Sequence, residues 1–271
     1  MLPNLITNEG ESMHRLPLIL AGMVVATSAI AQVTTEAVEY KDGDVVLQGY
    51  LSYDASVTGK RPGVLIIHDW MGVSDYTKMR AEQLASLGYV ALAADVYGKG
   101  IRPANAQEAS AEAGKYYKDR QLLRKRTRAG LDFLMSRAQA DSSRLAVMGY
   151  CFGGAGALEL ARSGAPLKGV VTFHGSLNTP NPGDAKNIKA SVLVLHGADD
   201  PYVKQEEVKA FMDEMRNAHL DWQLVQYSGA VHSFTDKRAG NDNSKGAAYN
   251  EKADRRSWQA MKDFFSEVLG K

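Results

Sequence analysis

Gly149-Tyr150-Cys151-Phe152-Gly153-Gly154 contains the only cysteine of the 271-residue chain. The apolar run Leu145–Met148 before it predicts a strand, and Phe152–Arg162 after it predicts a helix. A nucleophilic side chain flanked by glycines between a strand and a helix is typical of a nucleophile elbow. Glycine suits the sharp turn because a side chain there would crowd the backbone. Serine is usual at this position, so the cysteine indicates thiol chemistry.

The rest of the chain alternates short apolar runs with helix-favouring stretches. A hairpin is predicted within Glu36–Ser52, with its turn at Asp42-Gly43-Asp44. Further strands are predicted at 62–67, 89–94, 168–173, 190–195 and 221–227, and further helices at 76–87, 105–117, 119–138, 203–217 and 247–269. Continuous apolar strands alternating with helices predict an α/β fold, with a mostly parallel sheet covered by helices on both faces. No repeat or linker divides residues 32–271, so we expect a single domain there.

Composition excludes several classes of function. Hydrophobic residues make up 45% of the chain, charged residues 23%, and the formal net charge is +1. These values are ordinary for a globular protein and favour neither nucleic acid nor an acidic surface as a partner. No G-x-G-x-x-G or P-loop pattern is present, and the six histidines are scattered without metal-ligand spacing. We therefore expect no nucleotide cofactor and no metal.

The N-terminus predicts export. Met13-His14-Arg15 is a short basic start, Leu16–Ala26 is apolar, and Ala29-Ile30-Ala31 matches a cleavage site. This pattern is typical of a secretory signal peptide, whereas a membrane anchor would need a longer apolar run. We expect residues 1–31 to be an upstream segment and signal peptide, cleaved after Ala31, and a periplasmic location without membrane attachment. Residues 1–12 fit no export pattern, so Met13 is an alternative start to Met1.

Polar residues follow nearly every apolar run. They are His68-Asp69, Asp95, Cys151, His174, His196 and, soon after its strand, His232. In a mostly parallel sheet the carboxyl ends of the strands meet at one edge, where ligands usually bind. The pattern therefore predicts an active site at this edge. We interpret His68, His174 and His196 as structural or pocket-lining.

A cysteine nucleophile needs a base, and the base needs a carboxylate to orient it. In elbow proteins the order along the chain is nucleophile, acid, histidine. Downstream of Cys151, the segment His196–Pro201 offers Asp200, with Asp199 as the alternative, and a glycine-containing loop offers His232. Each has a structural alternative: a buried small hydrophobe for the cysteine, a helix cap for Asp200, and an exposed loop residue for the histidine.

With cysteine in the elbow, the chain resembles the dienelactone hydrolase family of α/β-hydrolases over roughly residues 36–270. The resemblance rests on 149–154, His68-Asp69-Trp70-Met71-Gly72, Gly197–Val203 and His232-Ser233-Phe234. It implies a catalytic triad of Cys151, Asp200 and His232, and an oxyanion hole formed by the backbone N–H groups of Trp70 and Phe152. It also implies that Asp69, where the best-known members have Glu, helps to form the thiolate.

The resemblance implies hydrolysis of a carboxylic ester or lactone through a thioester acyl-enzyme. We expect Tyr97, Tyr150, Ser233 and Phe234 to line the substrate pocket, with ordinary core packing as the alternative for the aromatic residues. Family members that act on dienelactone hold its carboxylate with arginines. One such arginine follows the catalytic histidine, where this chain has Thr235-Asp236-Lys237, and another lies in a helix corresponding to Ala106–Tyr117, which contains no arginine. Candidate substitutes are Lys115, Arg120 and Lys237.

Three alternatives remain open. The first is a general carboxylesterase or thioesterase, with a small-molecule ester as its partner. The second is a catalytically silent module of the same fold that binds a ligand. The third is a thiol redox protein, which the absence of a second cysteine disfavours. Oligomeric state has no signature in the sequence.

Overall fold

An eight-stranded sheet is the centre of the computed structural model, which describes residues 32–270 together with Met1 and Pro3. The strands are β1 Val33–Asp42, β2 Val45–Asp54, β3 Arg61–Ile67, β4 Val90–Ala94, β5 Ala140–Tyr150, β6 Gly169–Phe173, β7 Ser191–Gly197 and β8 Trp222–Tyr227. Their order in the sheet is β1-β2-β4-β3-β5-β6-β7-β8. The strand β2 pairs antiparallel with β1 and β4, and all other pairs are parallel.

Six helices connect and cover the strands. They are α1 Asp75–Ser86, α2 Ala106–Lys118, α3 Arg120–Met135, α4 Phe152–Arg162, α5 Gln205–Asn217 and α6 Glu251–Leu269. Every residue of β3, β4 and β6 is buried, as expected for strands with helices on both faces. Residues of α2 to α5 enter one apolar core and residues of α1 and α6 enter the other. The predicted α/β fold with a mostly parallel sheet is confirmed.

The starts of β5 and α6 differ most from the prediction. The strand β5 begins five residues before Leu145, because Ala140 and Asp141 pair with the start of β3 before the register shifts. The helix α6 begins at Glu251 rather than at Ala247, because the Asn250 side chain accepts a hydrogen bond from the first turn. The residues that were assigned to its first turn instead run beside the loop of the predicted catalytic histidine.

All the strands and helices of residues 32–270 belong to one compact unit. The predicted signal peptide and its cleavage site fall outside the described residues, so both stay predictions. Among the described helices, none combines the length and the apolar character needed to cross a bilayer.

Candidate active site

The nucleophile elbow is the tight turn between β5 and α4. Cys151 has φ of 52° and ψ of −115°, a backbone conformation that residues other than glycine rarely adopt. A Cβ atom at Gly149 would lie 1.9 Å from the carbonyl oxygen of Gly153, so only glycine fits there. The Cys151 N–H donates to the Phe173 carbonyl on β6 at 3.1 Å. This turn holds the thiol at the carboxyl edge of the sheet, on the N-terminus of α4.

The three residues of the predicted triad lie in hydrogen-bonding contact. The Nε2 atom of His232 is 3.0 Å from the Sγ atom of Cys151, and its Nδ1 atom is 2.8 Å from Oδ2 of Asp200. The other Asp200 carboxylate oxygen accepts a hydrogen bond from the Tyr202 N–H at 2.8 Å. The Asp200 side chain is fully buried. The Asp199 side chain instead accepts from the Gly229 N–H.

The loop that carries His232 is held on two sides. The His232 N–H donates to the Gly246 carbonyl, and the Ala248 N–H donates to the His232 carbonyl, which makes an isolated parallel bridge. The Tyr202 ring lies edge-on to the imidazole, with 5.3 Å between ring centroids. The next residue, Ser233, has φ of 55°, so the chain turns sharply after the histidine. These contacts fix the imidazole between thiol and carboxylate.

Electrostatics around His232 favour the protonated form of its imidazole. Burial alone would lower the pKa of His232, but the Cys151 thiolate and the Asp200 carboxylate raise it to about 10. The imidazolium is therefore stable opposite a thiolate. His174, whose ring lies 5.2 Å from that of His232, is buried, and burial lowers its pKa well below the usual range. His174 accordingly stays neutral beside the imidazolium.

The loop after β3 presents the second predicted oxyanion donor. The neutral His68 donates from Nδ1 to the Asp69 carbonyl at 2.6 Å, and its Nε2 accepts from the Val96 N–H at 3.2 Å. Burial lowers the pKa of His68 to about 4, which keeps this tautomer uncharged. The Tyr97 hydroxyl donates to the Trp70 carbonyl at 3.0 Å. His68 and Tyr97 thus hold the loop from behind, and neither lines a cavity beside Cys151.

Neither predicted oxyanion donor makes a hydrogen bond to another group of the described chain. The N–H groups of Trp70 and Phe152 have no acceptor there. Phe152 is the first residue of α4, where N–H groups have no partner within the helix. Both groups are therefore available to an oxygen atom bound near Cys151.

Asp69 makes a turn contact and an ion pair. Its Oδ1 atom accepts from the Met71 N–H at 2.7 Å, and its Oδ2 atom lies 3.1 Å from Nη2 of Arg238. Burial raises the pKa of the Asp69 carboxyl, which the Met71 and Arg238 contacts partly oppose. No hydrogen bond joins Asp69 to the Cys151 thiol among the described residues.

Two cavities meet at Cys151. The apolar cavity has a volume of about 480 Å³ and is lined by Trp70, Ser110, Ala113, Gly114, Tyr117, Cys151, Phe152, Ser176, Tyr202, Val203, His232, Ser233 and Ala247. The polar cavity has a volume of about 350 Å³ and is lined by Asp69, Trp70, Met71, Tyr76, Tyr150, Cys151, His174, Ser233, Asp236, Arg238, Ala239 and Ala247. Since the lining of each includes Cys151, a substrate bound at the thiol can reach both spaces.

The predicted pocket residues divide between these cavities and the core. Tyr150 lines the polar cavity, and Ser233 lines both. Phe234 is fully buried and packs against His174 and Tyr227 instead.

The suggested substitute cations, Lys115, Arg120 and Lys237, line neither cavity. Arg238, which was not among the predicted substitutes, lines the polar cavity. Its position six residues after His232 was the available signal, but only the 3-10 turn Lys237–Ala239, capped by Asp236, directs it back towards the site.

Within the described part of the chain, no group of three or more His, Cys, Asp or Glu side chains is placed to hold a metal ion.

Comparison with known proteins identifies the family. The model of the dienelactone hydrolase family matches residues 47–269. The chain belongs to the dienelactone hydrolase family. A Salmonella typhimurium protein with the provisional name carboxymethylenebutenolidase is 30% identical over 240 residues, which cover 83% of this chain and 84% of that protein.

Solved structures of the family have the same fold. A dienelactone hydrolase-like promiscuous phosphotriesterase from metagenomic libraries is 45% identical, with a TM-score of 0.83, and the match covers 88% of this chain and 99% of that one. A dienelactone hydrolase from Anabaena variabilis is 21% identical, with a TM-score of 0.66, and the match covers 88% of this chain and 99% of that one. At this low identity the similarity supports a shared fold only. The α/β-hydrolase fold expected from the sequence is confirmed.

Proposed function

We propose that this chain hydrolyses carboxylic esters or lactones with Cys151 as the nucleophile. The observation that carries the proposal is the hydrogen-bonded series Cys151–His232–Asp200, with the cysteine on a strained elbow. Membership of the dienelactone hydrolase family and the lactone-hydrolase name of the Salmonella relative support it. The substrates are small molecules, since the two cavities at the thiol are about 480 and 350 Å³.

The first half-reaction acylates the thiol. The Cys151 thiolate, paired with the His232 imidazolium, attacks the ester carbonyl carbon. The N–H groups of Trp70 and Phe152 stabilise the oxyanion that forms. Collapse of the tetrahedral intermediate breaks the bond to the alkoxide, which takes the proton from Nε2 of His232 and leaves a thioester. With a lactone, the alcohol stays attached to the acyl group.

The second half-reaction releases the acid. Neutral His232 takes a proton from water, and the oxygen attacks the thioester carbon. The same two N–H groups stabilise the second oxyanion, and its collapse expels the thiolate beside the imidazolium. Asp200 keeps the imidazole oriented through Nδ1 in both halves. A role for Asp69 in forming the thiolate would require its carboxylate to leave Arg238.

The test compares wild type with Cys151→Ala and Cys151→Ser on uncharged 4-nitrophenyl esters and a panel of lactones that includes dienelactone. We expect wild type to turn over, Cys151→Ala to be inactive, and the intact mass of acid-quenched wild type to show the acyl adduct. Full activity in Cys151→Ala would refute the mechanism. Absence of turnover by wild type on every ester and lactone would favour the ligand-binding module.

A second candidate activity is hydrolysis of uncharged phosphotriesters. The 45% identical relative is described as a promiscuous phosphotriesterase, and the apolar cavity of this chain has no Asp, Glu, Lys or Arg in its lining. Release of 4-nitrophenol from diethyl 4-nitrophenyl phosphate tests this activity. Loss of the release in Cys151→Ala would assign it to the same thiol.

We also propose export of the mature chain 32–271 to the periplasm, on the basis of the Met13–Ala31 pattern. N-terminal sequencing of the secreted protein, with Gln32 as the expected first residue, tests the cleavage site. Sequencing of the unprocessed precursor decides between Met1 and Met13.

A further inference from the structure

The polar cavity has an unusual charge balance for a site expected to receive a substrate carboxylate. Apart from the nucleophile Cys151, the charged residues in its lining are Asp69, Asp236 and Arg238, two carboxylates and one guanidinium. With both carboxylates ionised, the formal charge of this wall is −1. The inference below rests on the proposed esterase function.

Arg238 is already committed to the two carboxylates. Its Nε atom lies 3.0 and 2.9 Å from the two carboxylate oxygens of Asp236, and its Nη2 atom lies 2.7 Å from Oδ2 of the same residue. Nη2 also donates to Oδ2 of Asp69 at 3.1 Å. Three of the five N–H groups of the guanidinium are thereby used on the side that faces the carboxylates. The Asp236 side chain is only 15% exposed, whereas the Arg238 side chain is 49% exposed.

The other cationic side chains near this cavity also have partners within the protein. Arg80, behind the Tyr76 wall, pairs with Asp254 at 2.6 Å and donates to the Thr235 carbonyl. Lys237 points over the Tyr249 ring. The lining of the apolar cavity contains no Asp, Glu, Lys or Arg. Neither space beside Cys151 therefore offers an unpaired cation to a substrate anion within the described chain.

We propose that Asp236 is a specificity-determining residue that occupies Arg238 and restricts the site to esters and lactones whose acid and alcohol parts are both uncharged. A substrate carboxylate in the polar cavity would face two fixed carboxylates and a guanidinium whose inner N–H groups are taken. An uncharged polar group meets no such repulsion. The arginine is present, and its own neighbour prevents it from acting as a carboxylate anchor.

Matched ester pairs test the discrimination. One pair is 4-nitrophenyl hydrogen glutarate and its methyl ester, which differ by a charge on the acyl side. The other is 3-acetoxybenzoate and its methyl ester, which differ on the alcohol side. For each pair, kcat/KM on the anionic ester is divided by kcat/KM on the neutral ester. This ratio is then divided by the ratio of the two hydroxide-catalysed hydrolysis rates, to remove the difference in intrinsic reactivity, and the result is the corrected ratio. We expect a corrected ratio of about 0.1 or lower in wild type.

The decisive variant is Asp236→Asn, which keeps an acceptor for capping the 3-10 turn but removes one charge. We expect the corrected ratio to rise about ten-fold for at least one pair, because Arg238 becomes available to the substrate. The double variant Asp236→Asn, Arg238→Gln should lose this rise. Asp242→Asn is the matched control, because Asp242 caps the next 3-10 turn without contacting Arg238. Its ratio should equal that of wild type.

A wild-type ratio of 1 or more for both pairs would overturn the proposal. So would an unchanged ratio in Asp236→Asn, or a rise that survives the loss of Arg238.

Alkylation of the thiol tests the same proposal without turnover. Cys151 is the only cysteine, so intact mass reports its reaction alone. Its sulfur displaces iodide from iodoacetate, which is anionic, or from iodoacetamide, which is neutral. We expect Asp236→Asn to raise the ratio of the two alkylation rates about ten-fold and the double variant to reverse it. An unchanged ratio of alkylation rates in Asp236→Asn would overturn the proposed role of Asp236, whether or not any ester is hydrolysed. Absence of ester and lactone hydrolysis would instead refute the proposed function.

Discussion

Attraction to a thiolate at Cys151 is the largest of the effects that raise the pKa of His232. Burial lowers the pKa of His232, and the attraction of the thiolate, followed by the hydrogen bond to Asp200, raises it to about 10. Cys151→Ser replaces the thiolate with an uncharged hydroxyl, so we expect the pKa of His232 to fall markedly. Imidazole NMR titration measures this, with Ser176→Ala as the control, because Ser176 lines the same cavity without contacting the histidine. An unchanged titration in Cys151→Ser would contradict the ion pair.

Asp200 and Asp199 are adjacent in sequence but make different contacts. Asp200 is bonded to the imidazole, whereas Asp199 is bonded to the backbone of the loop at Gly229. We expect Asp200→Asn to lower kcat/KM on a neutral ester about a thousandfold, because the amide no longer stabilises the imidazolium or its tautomer. Asp199→Asn should lower it less than about threefold. Steady-state kinetics of the two variants decide the assignment, and equal losses would show that it is incorrect.

The residues of the candidate triad are those whose place in the fold follows from their order in the chain. Cys151, Asp200 and His232 each follow a strand of one parallel sheet, so their approach could be expected before any coordinates. Arg238 could not be found in this way. It reaches the site only because Asp236 caps a 3-10 turn and accepts hydrogen bonds from the same arginine. That contact depends on side-chain geometry within three residues, which no hydrophobic periodicity encodes.

The shape of the nucleophile elbow requires glycine at position 149. A Cβ atom at Gly149 would lie 1.9 Å from the Gly153 carbonyl oxygen, a backbone atom that cannot move without distorting β5 or α4. We expect Gly149→Ala to lower the free energy of unfolding by more than about 4 kcal/mol, or to prevent folding. Urea unfolding followed by circular dichroism measures the change.

Gly114→Ala is the matched control for the elbow. Gly114 lies inside α2, and a Cβ atom there meets nothing within 4 Å. The same substitution should therefore raise the free energy of unfolding by up to about 1 kcal/mol, the gain in helix propensity. Equal destabilisation by the two substitutions would show that the close approach at the elbow is not what requires glycine.

Element boundaries show where local patterns are insufficient. The glycine-flanked turn and the helix Phe152–Arg162 were predictable because both signals are local. The start of β5 was not, since its polar residues 141–144 resemble a loop, and only pairing of Ala140 with Arg61 extends the strand. Likewise, Ala247 resembles helix from sequence, but its backbone forms a bridge with His232 and so holds the loop that carries this residue.

Buried neutral histidines make the free energy of unfolding of the whole molecule depend on pH. Burial lowers the pKa of His68 to about 4 and that of His174 well below its usual range. Both pKa values are depressed in the folded state, so their stability contribution is present above the unfolded pKa of about 6.5 and is lost as pH falls. For His68 alone, the loss at pH 5 is about 2 kcal/mol.

We therefore expect the free energy of unfolding to fall steadily between pH 7 and pH 4.5, measured by urea denaturation. His68→Asn should reduce the slope, because asparagine cannot be protonated, while its amide can still donate towards the Asp69 carbonyl. His219→Asn is the control, since His219 is exposed and its positive φ suits asparagine. If His68→Asn kept the full slope, the acid sensitivity would have to arise from other groups. The readout is a slope, so it remains valid even if the substitution lowers stability at every pH.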